Sequence, residues 1–123
     1  MECARIFTNN PAVGAAYPDA THWVEGNVRD VFVAVRDAVH RGARLLSHPL
    51  CGSVKPWESP YRSVWVLARQ GALDFASLRL IEGAMAVSGR PWPHHAHYDA
   101  SIREDYQLID LELMKSAIKN SDK

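Results

Sequence analysis

The run from His48 to Ser63 gathers the densest set of polar groups in the chain: Gly52, the Ser53 hydroxyl, the Lys55 ammonium and the Glu58 carboxylate, set between Pro49, Pro56 and Pro60. Proline fixes φ and glycine permits conformations closed to other residues, so such a loop can hold one shape and aim backbone N–H groups at a ligand. A Gly-Ser-x-Lys stretch suits a small anion, a carboxylate or phosphate, with Ser53 and Lys55 as principal contacts and Asn10, Arg36 and His48 as candidate neighbours; Asn9, His40, Gly52, Glu58 and Tyr61 are the further candidates. It lacks the spacing and second glycine of a P-loop, so nucleotide binding is not supported. The plain alternative is an ordered loop joining two strands.

Other chemistries have weaker support. His40, His48 and Cys51 offer metal-ligand types, as do His94, His95 and His97, but neither group completes a ligand set, and no metal or cofactor is expected. Ser53 or Cys51 paired with His48 has no nucleophile-elbow pattern around it. Arg36, Asp37 and His40 share the polar side of one helix, where Arg36 and His40, four apart, can meet; a solvated helix face is the alternative.

The elements that must position these residues follow from spacing. Ala4–Thr8 is β-branched and aromatic and stops at the turn formers Asn9, Asn10 and Pro11, so it reads as a strand running into a loop. His22–Glu25 reads as a second strand. Asn27 then opens a helix in which Val28, Val31, Phe32, Val35 and Val39 recur at intervals of three and four, and Gly42 stops it. Ala43–Ser47 is a third strand, making a right-handed crossover with strands two and three parallel. Arg62–Leu67 is a fourth. Asp74 caps a second helix with Phe75, Leu78, Ile81 and Met85 inward. Residues 90–98, rich in His and Pro, read as a linker. Ser101-x-x-Glu104 has the form of a capping box and opens a last helix, with Ile102, Tyr106, Ile109 and Leu113 on one face and Leu108, Leu111 and Met114 widening it. That excess of apolar surface predicts a homodimer.

The 123 residues suit one domain, with 47% hydrophobic and 23% charged residues and 14 cationic against 14 acidic side chains. Zero net charge removes the usual reason to bind nucleic acid or anionic membrane. The longest apolar run, Val31–Val35, is far short of a membrane span, and Met1–Pro11 has no signal-peptide pattern, so a cytoplasmic protein is expected. Cys3 and Cys51 are too few for a disulfide scaffold and read as small buried residues.

Val35 to Val64, with Arg36-Asp37, His40, Gly42, Leu45-Leu46, His48-Pro49-Leu50, Gly52-Ser53-Val54-Lys55-Pro56, Glu58, Pro60-Tyr61 and Ser63, resembles the signature of GrdX proteins. Thr8-Asn9-Asn10-Pro11 and Ser77-Leu78 also match, and the resemblance covers residues 4–88. Departures are Cys51 for Ser, Trp57 for Asn, Ala43 for His and Arg62 for Lys. GrdX proteins are encoded beside the glycine, sarcosine and betaine reductase genes of amino-acid-fermenting anaerobes. The resemblance implies an accessory protein of the glycine reductase system, without an established catalytic activity.

The expected fold is a single α/β domain: a mixed sheet of about four strands flanked by two helices, plus a C-terminal helix. Residues 1–89 form the core, 90–98 the linker, and 99–123 a helix packed on the core or on a partner subunit. If the first and third strands are parallel, Asn9, Asn10 and His48 lie at the carboxyl ends of neighbouring strands, where open α/β sheets bind ligands. The functional expectation is a protein binding a small anion or a reductase component through the 48–63 loop. A small enzyme acting on a carboxylate or phosphorylated metabolite, and a structural dimer without a ligand site, are the alternatives.

Overall fold

The computed structural model describes residues 3–50, 58–87 and 95–121. The chain forms an α/β domain: β1 (Cys3–Thr8), α1 (Pro11–Ala16), β2 (Thr21–Trp23), α2 (Val28–His40), β3 (Arg44–Leu45), β4 (Ser63–Ala68), α3 (Phe75–Ala86), a 3₁₀ turn (His95–His97) and α4 (Ala100–Ser121). The strand order is β2-β1-β4-β3. β1 pairs parallel with β2 and antiparallel with β4, and β3 pairs antiparallel with β4. Strands β2 and β3 therefore run in the same direction, as the crossover reading requires, but they are opposite edges of the sheet. Spacing along the chain fixes the direction of a strand and says nothing about which later strands insert between its neighbours.

Side chains alternate across the sheet. Phe7, Val64 and Val66 face α2 and α3 and form the larger core with Val28, Val31, Phe32, Val35, Val39 and Ile81. Ile6 faces the other way, toward α1 and α4, where it packs with Val13 and Met114. The sheet is thus covered on both faces, which makes the C-terminal helix a layer of the domain.

Local chemistry explains the helix starts. Asn27 and Asp30 form a reciprocal cap, the Asn27 side chain accepting from Asp30 N and the Asp30 carboxylate accepting from Asn27 N at 2.8 Å. Helix α2 ends at a tight approach: Gly42 has φ +112°, and a Cβ there would sit 2.5 Å from the Gly71 nitrogen. Helix α1 was not expected. Its Asn10 side chain accepts from Ala12 N, and Pro11 takes the first turn, where a missing N–H costs nothing.

Three expectations about facing are corrected. Phe75 is 70% exposed, because Ser77 turns inward, its hydroxyl accepting from Leu45 N at 2.9 Å, and a residue two positions away points to the far side of the helix. Cys3 is exposed. The last helix begins at Ala100, before the Ser101–Glu104 box, and Ile102 (45%), Leu108 (56%) and Ile109 (55%) face outward. Asp110 and Met114 are the buried pair, with Leu111 packed beside them, so Leu111 and Met114 belong to this domain's own core. Among the described residues no helix is long and apolar enough to cross a membrane.

Candidate functional site

One end of the sheet is built around Asn9 and Asn10, where β1 finishes and β4 begins. The Asn9 amide donates to the carbonyls of Gly26 (3.0 Å) and Pro60 (2.9 Å), and its oxygen accepts from Arg62 N (2.9 Å). One buried side chain therefore fastens the exit of the 48–63 loop to the turn before α2. The loop's entry is held as well: Pro49 is buried and Leu50 packs against the main core, while His48 is exposed and its Nδ1 accepts from Leu50 N. At residue 58 the Glu58 carbonyl accepts from the Tyr98 hydroxyl at 2.6 Å.

The second asparagine reaches the opposite layer. Its amide donates to the Gln107 carbonyl (2.9 Å) and to the Asp110 carboxylate (3.0 Å) on α4. Ser63 Oγ donates to the same Asp110 oxygen at 2.6 Å and lies 2.7 Å from Thr8 Oγ1, which accepts from Asn10 N. Burial pushes the Asp110 carboxyl upward, against the hydrogen bonds from Ser63 and Asn10 and the Arg62 guanidinium, which pull it down. This network is structural in scale. The crevice that Ser63 and Asp110 share with Ser47 and Pro49 holds about 10 Å³, room for about one water.

The structure distributes the other sequence candidates unevenly. Tyr61 is buried, its hydroxyl accepting from Gln107 Nε2 at 2.9 Å and its ring lying parallel to His95 with centroids 6.2 Å apart. Helix α2 starts beside Asn9 and descends, so Arg36 sits in its third turn and the exposed His40 at its far end, about 18 Å from the start at 1.5 Å per residue. His48 lies at the Asn9 end, but β4 intervenes between β1 and β3, so these are not neighbouring strands. Gly52, Ser53 and Lys55, with Cys51, Trp57 and His94, lie outside the described residues. Among the described residues no group of three or more His, Cys, Asp or Glu could hold a metal ion.

Sequence reasoning missed Asp110. The signal was present as a lone carboxylate inside Leu108-Ile109-Asp110-Leu111, in register with Met114 four residues on.

A mixed four-stranded sheet between two helical layers, with the ends of a Pro-rich loop held at the carboxyl end of its first strand, defines a small α/β protein. The chain belongs to the GrdX-like protein family, whose model matches residues 5–119. The match continues through the last helix, well past residue 88, in keeping with the place of α4 as a layer of the fold. No curated protein and no solved structure matches the chain.

Proposed function

We propose that the protein is a non-catalytic accessory protein of the glycine reductase system that binds a small anionic ligand, or a reductase component, through the 48–63 loop. The observation that carries this reading is the grip of Asn9 on Pro60 and Arg62, which gives the loop a rigid footing at the sheet end where α/β proteins take ligands. Because the Asn9 and Asn10 amides are engaged within the fold, their role is to position the loop. Contact falls to Ser53, Lys55 and the exposed His48, with backbone donors near Gly52.

Calorimetric titration with glycine, its N-methylated relatives and acetyl phosphate tests the reading. Binding of one of them should weaken in Lys55→Ala by about 1.5–3 kcal/mol, the range for a hydrogen bond to a charged group. Turnover would make the protein an enzyme. Absence of binding by all of them, with Lys55→Ala altering only association with a reductase component, would make the loop a partner-recognition element. Absence of both effects sinks the proposal.

A second reading, a homodimer joined through α4, is favoured by one observation. Ile102 and Ile109, seven residues apart on one line of the helix, are exposed together with the adjacent Leu108.

A further inference from the structure

The opposite end of the sheet, where β1 begins and β4 and α2 finish, holds a cleft of about 680 Å³. That size is typical of small-molecule sites. Its origin is in the sequence. Cys3, Arg5 and Phe7 alternate onto the α2 face of β1, but α2 stops at His40, so only Phe7 is roofed by the helix and Arg5 looks into open space. Ala38, Ala43 and Ala68 line the same cleft, and small side chains at these positions keep its volume open.

The polar lining is one-signed. Arg5, Arg41 and Arg69 contribute guanidinium groups, with His22 and Gln70 beside them, and no Asp or Glu is among the described residues that line the cleft. Among the described residues none of the three arginines forms an ion pair; the ion pair seen there, Lys115–Glu112, is on α4. Arg5 makes one hydrogen bond, to the Asp19 carbonyl at 2.7 Å, and the Nε–H of Arg69 is buried without a hydrogen-bond partner among the described residues. The acidic group that does feel Arg69 is Asp74, whose carboxyl is held low first by its hydrogen bond from Ser77. His22 stacks on Phe7 with ring centroids 4.2 Å apart and planes 7° from parallel. Partial burial, then Arg5 and Arg41, lower its pKa, so the imidazole is neutral at pH 7 and the net charge of the lining comes from the arginines. Three guanidinium groups lining one cleft, with no carboxylate among the described lining residues, repel one another, and a bound anion would relieve that repulsion.

We propose that this cleft binds a small organic anion carrying two or more negative charges, its anionic group on Arg5, Arg41 and Arg69 and its apolar body against the Phe7–His22 stack and the alanine wall. Guanidinium forks match both phosphate and carboxylate oxygens, so a phosphate ester and a polycarboxylate share the required chemistry. The site is separate from the 48–63 loop, and neither proposal rests on the other.

The test is titration of the full chain with phenyl phosphate, inorganic phosphate and citrate, followed by calorimetry and by the NMR signals of the His22 ring. Saturable binding of phenyl phosphate, tighter than that of inorganic phosphate, identifies an ester with an apolar body; binding of citrate alone identifies a polycarboxylate. In either case affinity should fall at least about tenfold in Arg41→Gln and in Arg69→Gln, and should be unchanged in Lys115→Gln, on α4. The His22 pKa should rise when the anion binds. Arg41 is exposed, so its variant stays informative if Arg69→Gln fails to fold. No saturation by any of the three probes, or binding indifferent to Arg41→Gln, overturns the proposal.

Discussion

Replacing Asp110 should separate what a carboxyl's shape contributes from what its charge costs. Asp110 is 6% exposed and receives Ser63 Oγ at 2.6 Å and the Asn10 amide at 3.0 Å. Asp110→Ala leaves both donors facing a void, and at about 1–3 kcal/mol for each buried polar group the loss should be about 2–6 kcal/mol. Asp110→Asn retains the shape and an acceptor oxygen and removes the ionisation. Burial raises the folded-state pKa above the ordinary 3.8, so the native protein holds this proton more tightly than the unfolded chain does. The resulting stability is complete below the unfolded-state value and is lost as pH rises through the folded-state one, at about 1.4 kcal/mol for each unit by which the pKa is raised. Urea unfolding of the wild type and Asp110→Asn at a series of pH values from 4 to 8 measures the effect. The stability of the wild type relative to Asp110→Asn should fall with rising pH and then level off. A difference that is flat across this range, or that grows with pH, would refute the reasoning, as would an Asp110→Ala protein of wild-type stability.

Asn9→Ala removes one acceptor and two donor contacts to backbone groups and should lower unfolding free energy by about 2–4 kcal/mol in denaturant melts; a change below about 0.5 kcal/mol would show that the loop exit is held by other means. For the proposed dimer, light scattering at micromolar concentration should give twice the monomer mass for the wild type and the monomer mass for Ile109→Lys. A monomeric wild type would remove that reading.

What could be read in advance was local. Asn27, the valine spacing and Gly42 together defined α2, because each acts within a few residues of its neighbours. The carboxyl-end placement of Asn9 and Asn10 followed from strand direction alone. Helix α1 had its signal in Asn10-Pro11, a cap residue followed by proline, but the same pair also forms turns, and six residues are too few for periodicity to decide. The facing of α4 could not follow from apolar content, since the carboxyl at 110 finds its partners in Ser63 and Asn10 on the inner side, and Ile102 and Ile109 are left on the outer one. The arginine cleft was out of reach for a different reason: Arg5, Arg41 and Arg69 are far apart in the chain, and only the common end of two strands and a helix assembles them.

The pairing of β1 with β4 has a consequence for how the molecule comes into being. The two central strands match Cys3 with Ala68 and Thr8 with Ser63, separations of 65 and 55 residues, and the Asn10–Asp110 bond joins groups 100 residues apart. Closing such long loops carries its entropic cost before any long-range contact compensates for it, so high contact order predicts slow folding. During synthesis β1 has no antiparallel partner until the fourth strand has left the ribosome, and Asn10 waits longer still for α4. Helix α2, with its own reciprocal cap, has the local contacts to form early, whereas the central strand pair and the Asn10–Asp110 bond need segments that are made much later.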